Sequence, residues 1–404
     1  MGKRKKPRDA VAAASNKQWQ LSLGFAAAVA VVLAAAFAWF WQDAGAVQFL
    51  SVMPNGGNES VPRVLLSFHS WRDELHEQYP EAQHIALWDV EGNMVAWSNV
   101  NGSSLAPGES GGRFSDELSA VTDDHPFMWS PSREDRYVDV GPSSYGSPSR
   151  RFVKLQTISD EPRVFMAHNV LTVEECDALR IAGSPHLEGS ISYVQGEAVA
   201  REENQERRRQ QPRTSSTAWL RPEKMSALDA STLRLVRSAQ DRLRALSRLD
   251  LRYAENMQVL KYEAGDHYHY HLDNGGAAHI KGRALTALVY LNDDFEGGET
   301  NWPLGGIGAK PDLSGVNTRH VYQLRQHFNG CQTAVGTTLR PKRGAVALFY
   351  TLRPNSHEQD WTAWHGSCDV TKGVKWAANF WWNLNLMKEK SPHAPRSAGA
   401  GPSE

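Results

Sequence analysis

The chain has 404 residues, 41% of them hydrophobic, with 44 basic against 45 acidic side chains and a formal net charge of −1. That length leaves room for two or more domains and a sizeable core. The near-neutral balance excludes a global field of the kind that draws a protein to nucleic acid.

Residues 1–20 form a basic tail, with Lys3, Arg4, Lys5, Lys6, Arg8 and Lys17 against the single acid Asp9. Leu21 to Trp41 then runs for 21 residues without a charge, enough to cross the ~30 Å hydrocarbon layer as a helix. Trp19 at one end and Trp39 and Trp41 at the other suit the two interfacial belts, and the basic flank should stay cytosolic. The expectation is a single-pass, type II signal anchor with the bulk of the chain in a lumen. A cleaved signal peptide is the competing reading, because Ala44-Gly-Ala46 offers a small-residue cleavage site. Asn58-Glu-Ser60 and Asn101-Gly-Ser103 match the N-glycosylation pattern and fit lumenal exposure.

Residues 42–150 read as a stem or small, β-rich module of unknown role, with no catalytic constellation. Leu65 to Tyr79 could hold a short helix. Ile85–Trp88, Met94–Trp97 and Pro126–Trp129 look like short strands separated by turns such as Glu91-Gly-Asn93. This order of strands and turns faintly resembles the von Hippel–Lindau β domain; a lumenal spacer is the other reading.

A strand is predicted over Val153–Ile158, then a helix with Thr172 as N-cap and Glu174, Glu175 and Asp177 in its first turn. Cys176 in that helix reads as a small buried apolar residue. Gly196 to Arg213 is strongly charged, and Ala227 to Leu246 carries apolar residues at helical spacing, for a long helix packed on a sheet.

Tyr262 to Asp273 reads Tyr-Glu-Ala-Gly-Asp-His-Tyr-His-Tyr-His-Leu-Asp. On one strand, His271 and Asp273 would share a face. So would His267 and His269, leaving a ligand pair shifted to His269 geometrically open. With the distant His365 the set becomes two imidazoles and a carboxylate, which can bind one side of Fe(II) and leave positions for substrate and O2. Structural zinc would ask for four protein ligands, commonly with thiolates, and none is close in sequence. Buried strands are predicted over Arg283–Asn292 and Pro341–Tyr350, with a turn at Glu296-Gly-Gly-Glu-Thr300. In Val374–Trp382, Lys375, Ala377, Asn379 and Trp381 fall on one face; the bulkier Val374, Trp376, Ala378, Phe380 and Trp382 fall on the other. The bulky face should pack outward, which places an ammonium inside the barrel, costly unless it meets an anion.

These stretches resemble the catalytic domain of 2-oxoglutarate-dependent prolyl 4-hydroxylases, most of all its transmembrane branch in the endoplasmic reticulum. The likeness rests on Tyr-x-x-Gly-x-x-Tyr-x-x-His-x-Asp from Tyr262, Arg-x-x-Thr-x-x-x-Tyr-Leu-Asn from Arg283, Gly-Gly-Glu-Thr-x-x-Pro from Gly297, and His365 followed by Lys375-Trp-x-x-Asn-x-Trp. Glu161-Pro-Arg-Val-Phe165 to Cys176 resembles the family's domain start. The resemblance implies an α+β fold, a double-stranded β-helix (jelly-roll) barrel with supporting helices over residues 151–390, and leaves 391–404 as a disordered tail.

It also implies Fe(II) on His271, Asp273 and His365, with His269 a nearby non-ligand. Lys375, Tyr262 and Thr300 would hold the distal carboxylate of 2-oxoglutarate; a surface lysine, a core tyrosine and a turn threonine are their plain alternatives. O2 is the other co-substrate and ascorbate an expected reductant. Tyr268, Arg283 and Trp381 match positions lining the proline site, although each could instead be barrel packing. Arg213-Thr-Ser-Ser216 matches the end of a loop closing over the substrate. Cys331 and Cys368 flank the last part of the barrel, are placed much as in transmembrane relatives, and could pair in an oxidising lumen. The chain departs from shorter family members between Trp302 and Leu339, an insertion of about 37 residues of a length that tends to be functional or disordered. No EF-hand calcium loop is present.

The expected activity is hydroxylation of peptidyl proline to 4-hydroxyproline with release of succinate and CO2. A dioxygenase of the same fold acting on another residue or a small molecule is the alternative. A non-catalytic binding protein is a third, against which the intact triad and Lys375 argue.

Overall fold

The computed structural model describes residues 49–54, 64–67, 75, 77, 84–89, 94–99, 117–122, 126–141, 151–194, 197–200, 202, 211–274, 282–306, 315, 317, 331, 335–354 and 358–384. The apolar run at 21–41, Asn58, Asn101, most of the charged loop before Gln211 and the C-terminal tail lie outside them. Among the described residues no helix is long and apolar enough to cross a membrane.

The N-terminal module is a five-stranded sheet of Val64–Ser67, Phe49–Pro54, Glu117–Thr122, His84–Asp89 and Met94–Asn99, in that order. Its 84–99 hairpin is the expected one, with Ile85 opposite Ser98 and Leu87 opposite Ala96. One expectation is narrowed and another corrected. Val64–Ser67, at the start of the span expected to hold a short helix, is a strand because it finds an antiparallel partner in Phe49–Pro54; among the described residues of that span, Leu75 and Glu77 are helical as expected. Pro126–Trp129 is extended but joins no ladder. It is a buried strap whose polar groups are met from outside: the Trp129 amide donates to the Tyr350 hydroxyl at 2.9 Å and its indole N–H to the Leu246 carbonyl at 2.9 Å. Phe127 bridges the two parts of the molecule, 4.8 Å from the Trp88 ring and 5.0 Å from Trp129.

The rest is a jelly-roll of two main sheets, with two-stranded ladders at Ser192–Val194/Glu197–Val199 and Glu296–Gly297/Val370–Lys372. The larger has nine strands, in the order Arg136–Asp139, Phe152–Asp160, Arg163–Ala167, Val346–Tyr350, Arg283–Tyr290, Lys375–Asn383, Gln258–Tyr262, Ser216–Trp219, Glu188–Gly189. The smaller has four: Tyr268–His271, His365–Ser367, Thr300–Trp302 and Thr337–Leu339. Alternation divides the apolar residues as the strand pattern predicts. Trp376, Ala378, Phe380 and Trp382 join a core with the helices, whereas Ala377 joins Tyr262, Leu288, Tyr290, Trp302 and Phe349 in the barrel interior.

Two helices brace the large sheet. Val173–Gly183 starts at Thr172 with a capping box: Thr172 accepts from the Glu175 amide, and the Glu175 carboxylate accepts from the Thr172 amide. Glu175 is itself buried and accepts from Ser238 at 2.6 Å and Arg242 at 2.9 Å on the second helix, Ala230–Ser247. A buried pair of this kind holds the helices in register more than it adds net stability, since desolvation offsets the attraction. The helix end lies so close to the sheet that a Cβ on Gly183 would come within 2.7 Å of Val259.

Candidate active site

The Tyr262–Asp273 stretch is not one regular strand. Gln258–Tyr262 belongs to the large sheet and Tyr268–His271 to the small one. Within the second, Tyr268 pairs with Ser367 but His271 with His365, so the register slips by one residue. A bulge of this kind reverses which side chains share a face. Tyr268 and His271 therefore stack together at 3.6 Å, while His267 packs against His269 at 4.5 Å. The shared parity read from the sequence for His267, His269, His271 and Asp273 does not exist, and with it goes the shifted ligand pair at His269.

His271, Asp273 and His365 converge, each offering a ligand atom within 4.8 Å of the others. The His271 Nδ1 faces the His269 carbonyl at 2.9 Å and the His365 Nδ1 faces the Ala363 carbonyl at 3.1 Å. Each Nδ1 donates its proton there, which leaves both Nε2 lone pairs directed inward. They lie 3.4 Å (His271) and 3.7 Å (His365) from the Asp273 Oδ1. The other oxygen, Oδ2, accepts from Thr286 at 2.7 Å and from the Trp381 indole at 2.9 Å, so Oδ1 is the atom presented. Burial and the neighbouring His365 hold His271 down to about 4. Burial alone would raise Asp273, but His365 and His271 pull it well below the usual carboxylate range. Two imidazoles and one carboxylate, each fixed by a second hydrogen bond, fit a divalent iron.

Lys375 enters the same interior from the large sheet and is 1% exposed. Its ammonium donates to the Gly298 carbonyl at 2.6 Å and the Ser367 hydroxyl at 2.9 Å, and lies 5.1 Å from the Tyr262 ring and 5.9 Å from Tyr290. Burial pushes it down to about 7, with Glu299 opposing. Gly298, at φ +65, is required here: a Cβ would meet the Lys375 Cδ at 3.0 Å. Thr300 is buried and its hydroxyl accepts from Tyr290 at 2.9 Å. Tyr262 is buried nearby, its hydroxyl raised by burial against a hydrogen bond from Ser215 and the Arg213 charge.

The three residues expected against substrate are differently placed. Tyr268 lies at the mouth, between His271 and the Arg213 guanidinium 4.6 Å over its ring. Trp381 is buried, with its ring near Trp219 and its N–H on Asp273. Arg283 is buried behind Trp381, 3.8 Å over that ring, and forms a two-point pair with Glu255 at 2.6 and 2.8 Å. It supports Trp381 and the Asp273 backbone rather than lying open at the mouth. Glu255 and Ser367 were missed by the sequence reading; no local pattern marks a lone acid ahead of a strand or a serine after a histidine. Cys331 and Cys368 are joined, with Cα atoms 5.0 Å apart, while Cys176 is buried and free, its thiol pushed up to about 11 mainly by burial.

The profile of the 2OG-Fe(II) oxygenase superfamily matches residues 257–383, the span holding the triad and Lys375. Among curated proteins, probable prolyl 4-hydroxylase 10 of Arabidopsis thaliana is 31% identical over 246 residues, 60% of this chain and 75% of that protein. Probable prolyl 4-hydroxylase 3 of the same plant is 30% identical over 237 residues, 58% of this chain and 73% of that protein. A solved viral collagen prolyl hydroxylase from Paramecium Bursaria Chlorella virus-1 shares 20% identity, at a TM-score of 0.33 over 54% of this chain and 94% of its own. The plant relatives, aligned over most of their own length, show that this chain belongs to the 2-oxoglutarate- and Fe(II)-dependent prolyl 4-hydroxylase family.

Proposed function

We propose that this protein hydroxylates proline in an extended peptide, with Fe(II), 2-oxoglutarate and O2, giving 4-hydroxyproline, succinate and CO2. The observation that carries this reading is the convergence of two imidazole Nε2 atoms and one Asp273 oxygen in a barrel that also buries Lys375. His271, Asp273 and His365 would hold the metal, which with the 2-oxo acid and O2 supplies the oxidising power to break an unactivated C–H bond.

The chain's own residues bind, orient and exclude water. Lys375 takes the distal carboxylate of the co-substrate: its ammonium has lost its hydration and meets only a carbonyl and a hydroxyl, so an anion is its best remaining partner. Tyr262 and Thr300 stand beside it as hydroxyl donors. Thr286 and Trp381 keep Asp273 presenting a single oxygen. Tyr268 at the mouth, backed by Arg213, offers an aromatic wall to a polyproline II segment, whose preformed shape costs little entropy to dock. Ascorbate is proposed as reductant on the family likeness alone. The uncharged run at 21–41 behind a basic tail supports an anchor in the endoplasmic reticulum membrane, with the catalytic barrel in the lumen.

The deciding experiment is turnover on a panel of collagen-like, wall-glycoprotein-like and hypoxia-factor-like peptides, read by mass spectrometry. A gain of about 16 Da on proline, dependent on iron and 2-oxoglutarate, is expected; the same gain confined to other residues would exclude a prolyl hydroxylase.

A further inference from the structure

The four-stranded sheet arranges its interior side chains in rungs. Thr300 pairs with Ser367 and Asn301 with Gly366, which sets Trp302 beside His365 on the next rung, their rings stacked with centroids 6.0 Å apart. One rung therefore carries a candidate iron ligand. The adjoining one carries Thr300 and Ser367, where the Lys375 ammonium arrives. A 2-oxo acid held by the metal at one end and by Lys375 at the other must run along both.

Trp302 borders that path. It is fully buried, with Phe349 edge-on at 5.3 Å and itself 4.5 Å from the His365 ring, so the three rings form one cluster. Its indole N–H is sealed from solvent and has no acceptor. Buried indoles nearly always donate, and one that does not asks what it is waiting for. Trp88 and Trp382 also carry unpaired indole nitrogens, but they pack in the core behind the barrel, with the Phe127 strap and the helices. Trp302 alone of the three belongs to the barrel interior.

We propose that Trp302 is a further co-substrate-binding residue, its indole N–H donating to an oxygen of the bound 2-oxo acid. This rests on the functional reading above and adds a donor on the metal's side of the site, opposite the Lys375 end. The two rings packed against it, His365 and Phe349, carry no oxygen.

The test is calorimetric titration of 2-oxoglutarate into the iron-loaded full chain without O2 or peptide. Trp302→Phe should weaken binding about tenfold to a hundredfold, the worth of a hydrogen bond to a charged acceptor. Trp88→Phe should leave it unchanged. Unaltered affinity in a folded Trp302→Phe protein overturns the assignment. If phenylalanine disturbs folding, benzothienylalanine at position 302 keeps the ring system and removes only the N–H. Weakened binding is again expected, and wild-type affinity overturns the proposal. A wild-type protein that takes up no 2-oxoglutarate overturns the functional reading and this assignment with it.

Discussion

Lys375 shows how a single side chain can be read before and after folding. Its place inside the barrel was legible from alternation alone, because the bulky Trp376, Phe380 and Trp382 of the same strand claim the outer face. Its partners were not, since Gly298 and Ser367 arrive from distant segments. The consequence is a pH effect with a definite sign. Burial lowers its pKa from 10.5 to about 7, so between those values the unfolded chain binds more protons and stability without co-substrate rises with pH. A bound carboxylate reverses the bias and draws a proton in. Affinity for 2-oxoglutarate should therefore fall above pH ~7, approaching tenfold per unit. Calorimetry across pH ~6–9 checks this, with proton uptake visible as a buffer-dependent heat. Affinity flat over that range, or the same slope in Lys375→Met, would contradict it. The Glu255–Arg283 pair teaches the opposite lesson: Arg283 looked like a substrate contact because its motif is, and only the fold shows its guanidinium committed to Glu255 and Trp381.

Elements were readable where local pattern and long-range packing agree. The capping box at Thr172, the Ala230–Ser247 helix and the all-buried Arg283–Tyr290 strand each carry a period or a cap that needs no partner to recognise. The failures share one physical cause. Pro126–Trp129 has a strand's composition but a strap's role, because its donors find Tyr350 and Leu246 instead of a ladder. Val64–Ser67 has enough apolar residues for either state and is decided by Phe49–Pro54. The bulge between Tyr268 and His271 is invisible to alternation, which presumes the register it breaks. The N-terminal run at 21–41 is an element argued from composition alone, and the proposed anchor has its own consequence. Asn58 and Asn101 would be lumenal, so the full chain made in a eukaryotic host should shift in mobility on endoglycosidase treatment. Asn58→Gln with Asn101→Gln should abolish the shift; an intact wild-type chain that never shifts would count against lumenal placement.

At the scale of the whole molecule, the two sheets divide the work. The large sheet supplies the buried lysine, the Trp381 brace and the surface on which both helices pack; the small sheet supplies both histidines. The N-terminal module meets this body at the Phe127–Trp129 strap, and its described residues include no member of the triad. The proposed chemistry therefore depends on three side chains from two distant stretches, His271 with Asp273 and His365, meeting at one ion. The most direct test is paired measurement of bound Fe(II) per chain and succinate released from 2-oxoglutarate, in wild type and His365→Ala. The account predicts one iron per chain and steady succinate formation in the first, and loss of both by more than about a hundredfold in the second. Iron binding and succinate release that survive His365→Ala would contradict it.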